Sequence, residues 1–446
     1  MNILLISPNT HVVPYPVYPL GLDYVAGALS REHQVQIVDL NILDRDALEK
    51  LIKDFAPDII GLSLRNVDNT EVGNPLFFIE KQKDLVAWLR TLSEAIIVCG
   101  GAGFTILARD IFTKIQPDYG IVGEGERFAE LAHALEHDLP VDTIPGLITS
   151  STSQAPVPWT GEQTRESGLG SHTQFYIDHG GMLNLQSKRG CSFRCIYCPY
   201  PHIEGSKHRR VDADVVAQTA LDLQERGAKY IFITDSAFNS DIRHSLQVAE
   251  AFQQAGLTIP WGGFFAPLKL PENYFKTMKA CGLSHIEFGT ESLSDTMLKS
   301  YQKPFRKKDV FATHQQAIDA DIHVAHYFLL GGPGETAETL TDTLDGVEQL
   351  QETVHFFFTG MRIYPHTKLY DIALAEGKIS KESNLLEPFY YESDAISPAE
   401  IETQVRERSG QRVNWIVGSG GDASARTVSK MHGRGYTGPL WEFLIC

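Results

Sequence analysis

The chain has 446 residues, of which 43% are hydrophobic, and it carries a formal net charge of −17 at pH 7. This length exceeds one ordinary domain, so it predicts two or three domains with well-filled cores. The negative charge argues against an extended phosphate-binding surface and hence against a nucleic-acid partner, and the basic run Lys207–Arg210 is interpreted as a solvated loop.

The sequence also predicts a cellular location. It contains no apolar run of the ~20 residues that a membrane helix needs, and its first residues are typical of a strand rather than a signal peptide. Apart from one cluster, the cysteines Cys99, Cys281 and Cys446 are scattered and cannot form a disulfide framework. We therefore expect a cytoplasmic protein without a membrane span.

The first 150 residues alternate between short apolar runs, typical of buried parallel strands, and segments with helical spacing. The predicted strands are Asn2–Ser7, Val35–Asp39, Asp58–Leu64, Ala95–Gly100 and Tyr119–Gly123, and the predicted helices include Leu20–Leu29 and Asp44–Phe55. Strands separated by helices indicate βαβ units. Residues 1–150 are therefore predicted to form a flavodoxin-like (Rossmann-type) parallel sheet in an α/β protein.

Glycine-rich and polar segments follow three of these strands, at the edge where such sheets bind ligands. They are Ser63, Leu64 and Arg65; then Gly100, Gly101, Gly103 and Phe104; then Gly123, Glu124, Gly125 and Glu126. Glycines let the backbone approach a large ligand, although tight turns need glycine equally. The first strand is followed by Pro8-Asn9-Thr10 rather than GxGxxG, which disfavours a dinucleotide cofactor.

Residues 151–181 lack periodicity and are rich in small and polar residues, as expected of a linker. A second alternating series follows, with predicted strands Met182–Gln186, Tyr230–Thr234, Trp261–Phe265, His285–Gly289, Val324–Leu330 and Thr353–Ile363. About six βα units predict a partial (β/α)6 TIM-like barrel over residues 182–370. Residues 371–446 are predicted to form a small C-terminal lid or extension, in which Leu385–Tyr391 and Ile401–Val417 form a loop and one or two helices.

The first strand of this barrel leads directly into three cysteines, Cys191, Cys195 and Cys198. Thiolates are preferred ligands of iron–sulfur clusters, and three of them leave one iron of a [4Fe–4S] cluster open. A zinc site usually needs a second pair of ligands, and the sequence has no second CxxC pair. Unconnected thiols are an improbable explanation, because half of the six cysteines fall within eight positions.

The spacing CxxxCxxC, with Tyr197 directly before the third cysteine, resembles the signature of the radical S-adenosylmethionine (SAM) superfamily. The resemblance implies a [4Fe–4S] cluster on the three cysteines, with SAM at its open iron. Segments at the ends of the later strands also match this family. They imply SAM contacts by Tyr197, Asp235, Ser236, Glu291, Ser292, Gly331, Gly332, Pro333 and Arg362. Taken singly, each of these segments is equally typical of a turn or a helix cap.

The predicted sheet in front of this motif is similar to the cobalamin-binding domain of B12-dependent radical SAM enzymes. The resemblance spans residues 1–150, includes the Pro-rich loop before Leu20, and implies that the strand-end residues given above contact cobalamin. The DxHxxG motif of many B12 proteins has no counterpart in the segment Asp39–Asp44, so no lower axial ligand of cobalt is assigned. Methylthiotransferases carry three further cysteines in their first domain, whereas this domain contains only Cys99.

The resemblance implies an enzyme that cleaves SAM reductively to a 5′-deoxyadenosyl radical and methylates an unactivated carbon through methylcobalamin. Three alternatives stay open. They are a cobalamin-dependent cyclisation or rearrangement, a radical SAM enzyme with a vestigial B12 domain, and a non-catalytic cobalamin or redox-binding protein. The expected partners are a small-molecule, lipid-precursor or peptide substrate and an electron donor such as flavodoxin or ferredoxin.

Overall fold

A computed structural model describes residues 1–73, 75–166 and 172–445, so Cys446 and part of the predicted linker lie outside the described residues. The first of its two large sheets is formed by β1 (Asn2–Ser7), β2 (Gln34–Asp39), β3 (Ile59–Ser63), β4 (Ile96–Gly100), β5 (Tyr119–Ile121) and β6 (Leu147–Ile148). The helices of this part are α1 (Leu20–Leu29), α2 (Arg45–Phe55), α3 (Ile79–Leu92), α4 (Ala102–Ile106), α5 (Ala108–Ile115), α6 (Arg127–Glu136) and α7 (His172–Asp178).

The first sheet has the strand order β2-β1-β3-β4-β5-β6. All neighbours are parallel except the edge strand β6, so the flavodoxin-like prediction is confirmed. The central strand β1 shows why the apolar runs form strands rather than loops. Residues 3–6 are at most 1% exposed, because helices cover both faces of the sheet.

The second part of the chain contains a larger parallel sheet and two short two-stranded antiparallel sheets. Its strands are β7 (Met182–Leu185), β8 (Lys188–Arg189), β9 (Arg209–Arg210), β10 (Tyr230–Ile233), β11 (Trp261–Phe265), β12 (Leu283–Glu291), β13 (His323–Leu330), β14 (Thr353–Thr359), β15 (Met361–Arg362), β16 (Tyr390–Tyr391) and β17 (Trp415–Val417). Its helices are α8 (Tyr200–Ile203), α9 (Ala213–Glu225), α10 (Ile242–Ala255), α11 (Tyr274–Ala280), α12 (Asp295–Ser300), α13 (Lys307–Ile318), α14 (Ala337–Val347), α15 (Lys368–Ala375), α16 (Pro398–Ser409) and α17 (Gly421–His432).

The large sheet has the order β17-β14-β13-β12-β11-β10-β7, which confirms the predicted partial barrel and adds a seventh strand. The segment Ile401–Val417, predicted to contribute to one or two helices, is helical only as far as Ser409. The helix α16 ends before Gly410, whose φ of +58° is left-handed, and the apolar strand β17 then pairs in parallel with β14. The second sheet therefore extends beyond residue 370.

The predicted sixth strand, Thr353–Ile363, is divided in two. Gly360, with a φ of +78°, separates β14 from β15. The strand β15 then pairs antiparallel with β16. The break turns Arg362 away from the barrel and toward the first sheet. None of the helices in the described ranges combines the length and the apolar composition that crossing a bilayer requires.

Candidate active site

The three cysteines lie on a tight loop that follows β8. The loop begins at Gly190, which has a φ of +87°, and a Cβ added there would overlap the carbonyl oxygen of Lys207. The amide of Cys198 donates a hydrogen bond to the carbonyl oxygen of Cys195 at 3.2 Å, which forms a turn at the end of the loop. Cys191 is buried and the other two cysteines are half-buried. Only glycine fits the first position, so the local sequence sets the course of the loop.

The thiols of this loop are perturbed by their surroundings. Burial raises the pKa of Cys191, and burial raises the pKa of Cys198 to about 12. Cysteine binds a metal in its thiolate form, so metal binding must release protons from this loop. Within the described ranges, no group of three His, Cys, Asp or Glu side chains is placed to hold a metal ion. The assignment of the three cysteines as cluster ligands stays a prediction.

A hydrogen-bonded triad lies beside the cysteine loop. Tyr197 Oη donates to Glu291 Oε1 at 2.6 Å, and Lys303 Nζ donates to the same oxygen at 3.1 Å and to Tyr197 Oη at 3.2 Å. Burial and then Glu291 raise the pKa of Tyr197 well above its usual value. The structure thus brings together two residues predicted to contact SAM. Lys303 was not predicted from the sequence, because no local motif marks it.

Asp235 and Ser236 follow β10, as the predicted SAM contacts require, but their environments differ. Asp235 is buried and accepts hydrogen bonds from Ser187 Oγ at 2.6 Å and from Lys188 Nζ at 2.8 Å. The Oγ atom of Ser236 is also buried and has no hydrogen-bond partner among the described residues. Asp235 therefore supports the strand that leads to the cysteines, whereas Ser236 has an unused donor and acceptor.

The other predicted SAM residues, at the ends of β12 and β13, are also hydrogen-bonded within the protein. Ser292 Oγ lies 2.8 Å from Thr343 Oγ1 in a buried contact. In the turn Gly331–Pro333, the first amide donates to Glu335 Oε2 at 3.3 Å and the second donates to Tyr301 Oη at 3.2 Å. These bonds give the turn a defined shape next to the triad, since Tyr301 and Tyr197 lie with their ring centroids 6.4 Å apart.

Arg362, which was predicted to contact SAM, is hydrogen-bonded within the protein. Its Nε donates to Asp68 Oδ2 of the first sheet at 2.8 Å, and both side chains are buried. Its Nη1 and Nη2 donate to the carbonyl oxygens of Ile363 and Leu385. Each nitrogen of the guanidinium group thus binds protein, and Arg362 joins the two sheets.

A cavity of about 230 Å³ opens at the carboxyl edge of the first sheet. Seven of the eleven residues predicted to contact cobalamin line it, namely Ser63, Gly100, Gly101, Gly123, Glu124, Gly125 and Glu126. A Cβ added at Gly100 or Gly123 would be in ordinary van der Waals contact, with no atom closer than 3.4 Å, whereas a Cβ added at Gly125 would lie 2.7 Å from Val25 Cγ2.

The remaining four predicted cobalamin residues do not line this cavity. Leu64 and Phe104 are 2% and 0% exposed and belong to the hydrophobic core of the first sheet. Gly103 packs closely on the backbone of Arg65, with an added Cβ 2.9 Å from its carbonyl oxygen. Burial lowers the pKa of Arg65, and its Nε donates to Asn66 Oδ1 at 3.0 Å.

Two carboxylates at the rim of the cavity bind arginines that flank the cysteine loop. Arg189 lies 2.5 Å from Glu124 and 2.7 Å from Glu126, and Arg209 lies 2.5 Å from Glu124. All four side chains are largely buried. Arg189 precedes Cys191 by two residues, so this network fixes the first sheet against the cysteine loop.

The concave face of the second sheet is lined by aromatic side chains, which the sequence analysis did not identify. Phe264 keeps 40% of its surface exposed although it lies in a central strand. The rings of Tyr327 and Phe356 stack at 4.8 Å. On the same face of the sheet, Glu287 is 3% exposed and accepts a hydrogen bond from Trp441 Nε1 at 3.1 Å. Burial raises the pKa of Glu287 to about 7.

The first domain also contributes to this concave face. Tyr15, in the Pro-rich loop after β1, packs against Met182, Tyr230 and Phe232 of the second sheet. Burial and then Glu287 raise the pKa of Tyr15 far above its usual value. The space between the cysteine loop, the cavity and the aromatic face is therefore built from both parts of the chain.

Two family profiles match the chain, one on each sheet. The profile described as "Radical SAM superfamily" matches residues 185–347, and the profile described as "B12 binding domain" matches residues 6–132. The first match contains the cysteine loop. The second contains the strand ends that line the cavity.

Proteins with similar sequences include methyltransferases. An uncharacterized methyltransferase from Pyrococcus horikoshii is 27% identical over 84% of this chain and 83% of its own length. The tryptophan 2-C-methyltransferase of Streptomyces laurentii is 25% identical over 82% of this chain and 74% of its own length.

A solved structure shows the same arrangement of both sheets. It is the radical SAM methyltransferase TsrM from Kitasatospora setae with cobalamin and a [4Fe–4S] cluster bound. The TM-score is 0.85 at 19% sequence identity, over 99% of this chain and 96% of TsrM. The family profiles, the cysteine loop and the shared fold agree. The chain therefore carries a B12-binding domain in front of a radical SAM domain.

Proposed function

We propose that the protein is a B12-dependent radical SAM C-methyltransferase, which cleaves SAM reductively at a [4Fe–4S] cluster and methylates an unactivated carbon through cobalamin. One observation carries the proposal. Arg189, two residues before Cys191, binds Glu124 and Glu126 at the rim of the cavity in the first sheet. This contact places the cysteine loop and the cavity side by side, as an enzyme that uses both cofactors requires.

The residues present fit these cofactors. Cys191, Cys195 and Cys198 offer three thiolates from one tight loop, the ligand set that leaves one iron of a [4Fe–4S] cluster open. The free Oγ of Ser236 offers SAM a hydrogen-bond donor at the end of β10, and the carboxylate of Glu291 offers an acceptor at the end of β12. The glycine-lined cavity fits part of a cobalamin.

The protein's own task is to orient the reactants and exclude water. When bound, the cluster supplies the electron that cleaves SAM, and cobalamin supplies the methyl group. Lys303 and Tyr197 hold the Glu291 carboxylate in one orientation. Phe264 and the stacked pair Tyr327 and Phe356 give the concave face an apolar surface, which disfavours water near a reactive species.

The proposed partners follow from this assignment. The substrate is a small molecule, a lipid precursor or a peptide, and the electron comes from a flavodoxin or ferredoxin. We propose a cytoplasmic location, because the cysteines that the structure describes are all free thiols and an iron–sulfur cluster needs a reducing compartment.

The test uses protein produced with B12 and reconstituted with iron and sulfide without oxygen. We expect wild type to contain one cobalamin and one cluster and to form 5′-deoxyadenosine from SAM under dithionite. Cys195→Ala should lose the cluster and this cleavage. Cys281→Ala, which removes a buried thiol outside the loop, should keep both.

Each outcome distinguishes the alternatives. A cluster and SAM cleavage without bound cobalamin would indicate a vestigial B12 domain. An intact cluster without 5′-deoxyadenosine would exclude the proposed radical chemistry. Mass spectrometry of metabolites from cells with and without the protein, searched for a mass difference of one methylene group, identifies the substrate. A product without this difference would support cyclisation or rearrangement.

A further inference from the structure

We propose that the outer surface of the cysteine loop, formed by Arg194, Lys207 and Arg306, docks an acidic one-electron carrier protein of the flavodoxin or ferredoxin class. The inference rests on the proposed function, since a radical SAM cluster receives its electron from outside. In this transfer one electron leaves the reduced carrier and enters the cluster, and no bond or proton moves.

The first observation is the presence of unpaired cations at this surface. Arg194 and Lys207 are exposed, and the part of the chain that the structure describes offers neither side chain an ion pair or hydrogen bond. Two other cations of the basic run that contains Lys207 are paired within the protein, because Arg209 binds Glu124 and Arg210 binds Asp241. Lys207 is thus the cation of this run that is left for a partner outside the chain.

The second observation is the position of these cations. On one side of the cysteine loop, the amide of Cys191 donates to the carbonyl oxygen of Gly205 at 3.1 Å, which holds the Lys207 segment against the loop. On the other side, the amide of Ile196 donates to the carbonyl oxygen of Tyr301 at 3.2 Å. The two segments that contact the loop therefore both lead to exposed cations, Lys207 on one side and Arg306 on the other.

The third observation is the charge of the second flanking segment. Between Tyr301 and α13 the chain reads Gln302-Lys303-Pro304-Phe305-Arg306, and α13 begins with Lys307 and Lys308. Lys303 is half-buried in the triad, whereas Arg306 and Lys308 are exposed and form no ion pair with any described residue. The sequence analysis considered only the run at Lys207 and did not identify this segment.

These cations stand out because the whole chain has a net charge of −17. An acidic carrier is repelled by most of such a surface, so a local positive patch beside the cluster selects both the site and the orientation of docking. Electrostatic attraction of this kind raises association rates by about 10–1000-fold at low salt and weakens as salt screens it.

The experiment measures reduction of the cluster in the cobalamin-loaded holoenzyme by its loss of visible absorbance after mixing with a reduced flavodoxin. Lys207→Glu/Arg306→Glu reverses two charges that lie outside the cofactor sites. We expect it to lower the second-order rate at least about tenfold at low salt, and the difference to shrink at high salt. Arg194→Gln should give a smaller loss, since it removes one charge without reversing it.

The matched control is Lys50→Glu/Lys276→Glu, which reverses two exposed lysines on α2 and α11. It should leave the rate within about twofold of wild type, because neither lysine belongs to the cysteine loop or to the two segments that flank it. Calorimetric titration with oxidised flavodoxin gives the affinity without turnover, and the Lys207/Arg306 variant should bind more weakly than the control.

Dithionite separates this inference from the proposed function. Reduction and SAM cleavage with dithionite should be the same in wild type, the Lys207/Arg306 variant and its control, because a small reductant needs no docking surface. Equal flavodoxin rates in the Lys207/Arg306 variant and its control would overturn the inference while leaving the proposed function intact. Displacement of flavodoxin by an oligonucleotide with higher affinity would also overturn it and identify a nucleic-acid surface. Loss of dithionite-driven cleavage in wild type would overturn the proposed function itself.

Discussion

Arg362 and Asp68 form a buried ion pair, 2.8 Å long, between residues 294 positions apart in the chain. Arg362 lies on β15, directly after β14 of the second sheet, and Asp68 lies in the segment that follows β3 of the first sheet. Buried charges are stable only when paired and hydrogen-bonded, so this contact ties the relative position of the two sheets to a single geometry.

Removing one member of this pair should be costly. Arg362→Met leaves Asp68 buried without its cation, and we expect a loss of about 3–5 kcal/mol in the free energy of unfolding. Urea unfolding followed by circular dichroism measures it. The double variant Arg362→Met/Asp68→Leu should recover most of the loss, because no unpaired charge stays buried. A single-variant loss below about 1 kcal/mol would show that the pair does not join the sheets.

Gly190 should be essential for the cysteine loop. Gly190→Ala adds a Cβ at a φ of +87° and against the carbonyl oxygen of Lys207, so the loop must move. We expect iron bound per chain to fall clearly below wild type after reconstitution. Gly256→Ala is the control, since its φ is +82° but no atom lies within 4 Å of the added Cβ. It should cost about 1–3 kcal/mol of stability and keep the iron content.

Glu287 should make stability depend on pH in the neutral range. Burial raises its pKa to about 7 in the folded state, against 4.5 for a free side chain. The folded state therefore binds the proton more tightly, and stability falls as pH rises from about 4.5 to 7. Glu287→Gln stays neutral, so relative to wild type it should gain about 3 kcal/mol between pH 5 and pH 8. Melting temperatures at both pH values test this, with the exposed Glu382→Gln as control.

A buried histidine chain should make the protein sensitive to acid. His314 Nδ1 lies 3.1 Å from His326 Nε2, and burial lowers the pKa of His314 to about 4, that of His355 to about 3 and that of His326 well below 6.5. The unfolded chain binds protons first, so stability is lost as pH falls from about 6.5 toward 4.

His355→Phe removes one of these groups, and the Nδ1 atom of His355 has no hydrogen-bond partner among the described residues. We expect it to reduce the loss of stability between pH 7 and pH 5 in urea titrations. His137→Gln, an exposed replacement, should follow wild type. An acid sensitivity equal to wild type in the His355 variant would contradict the prediction.

The partners of the charged strand-end residues could not be predicted. Glu124 and Glu126 have the position and chemistry of cofactor ligands, yet the structure pairs them with Arg189 and Arg209. Asp235 likewise binds Lys188. An ion pair between residues far apart in sequence leaves no local pattern. From the sequence alone, charged residues at the ends of strands are therefore predicted to be free to bind ligands.

Local sequence patterns predicted much of the secondary structure and the position of the cysteine loop. The alternation of apolar runs and helical segments predicted all strands of the two large sheets except β6 and β17, and the spacing of Cys191, Cys195 and Cys198 pointed to one shared centre. Both are short-range features, because strand burial and a tight cysteine loop depend on neighbouring residues. The tertiary structure alone decided how the parts meet. It set the pairing of β17 with β14, the contact of Arg362 with Asp68, the triad at Lys303 and the aromatic face around Phe264. These features join residues distant in sequence, and their free energy exists only once the chain has folded.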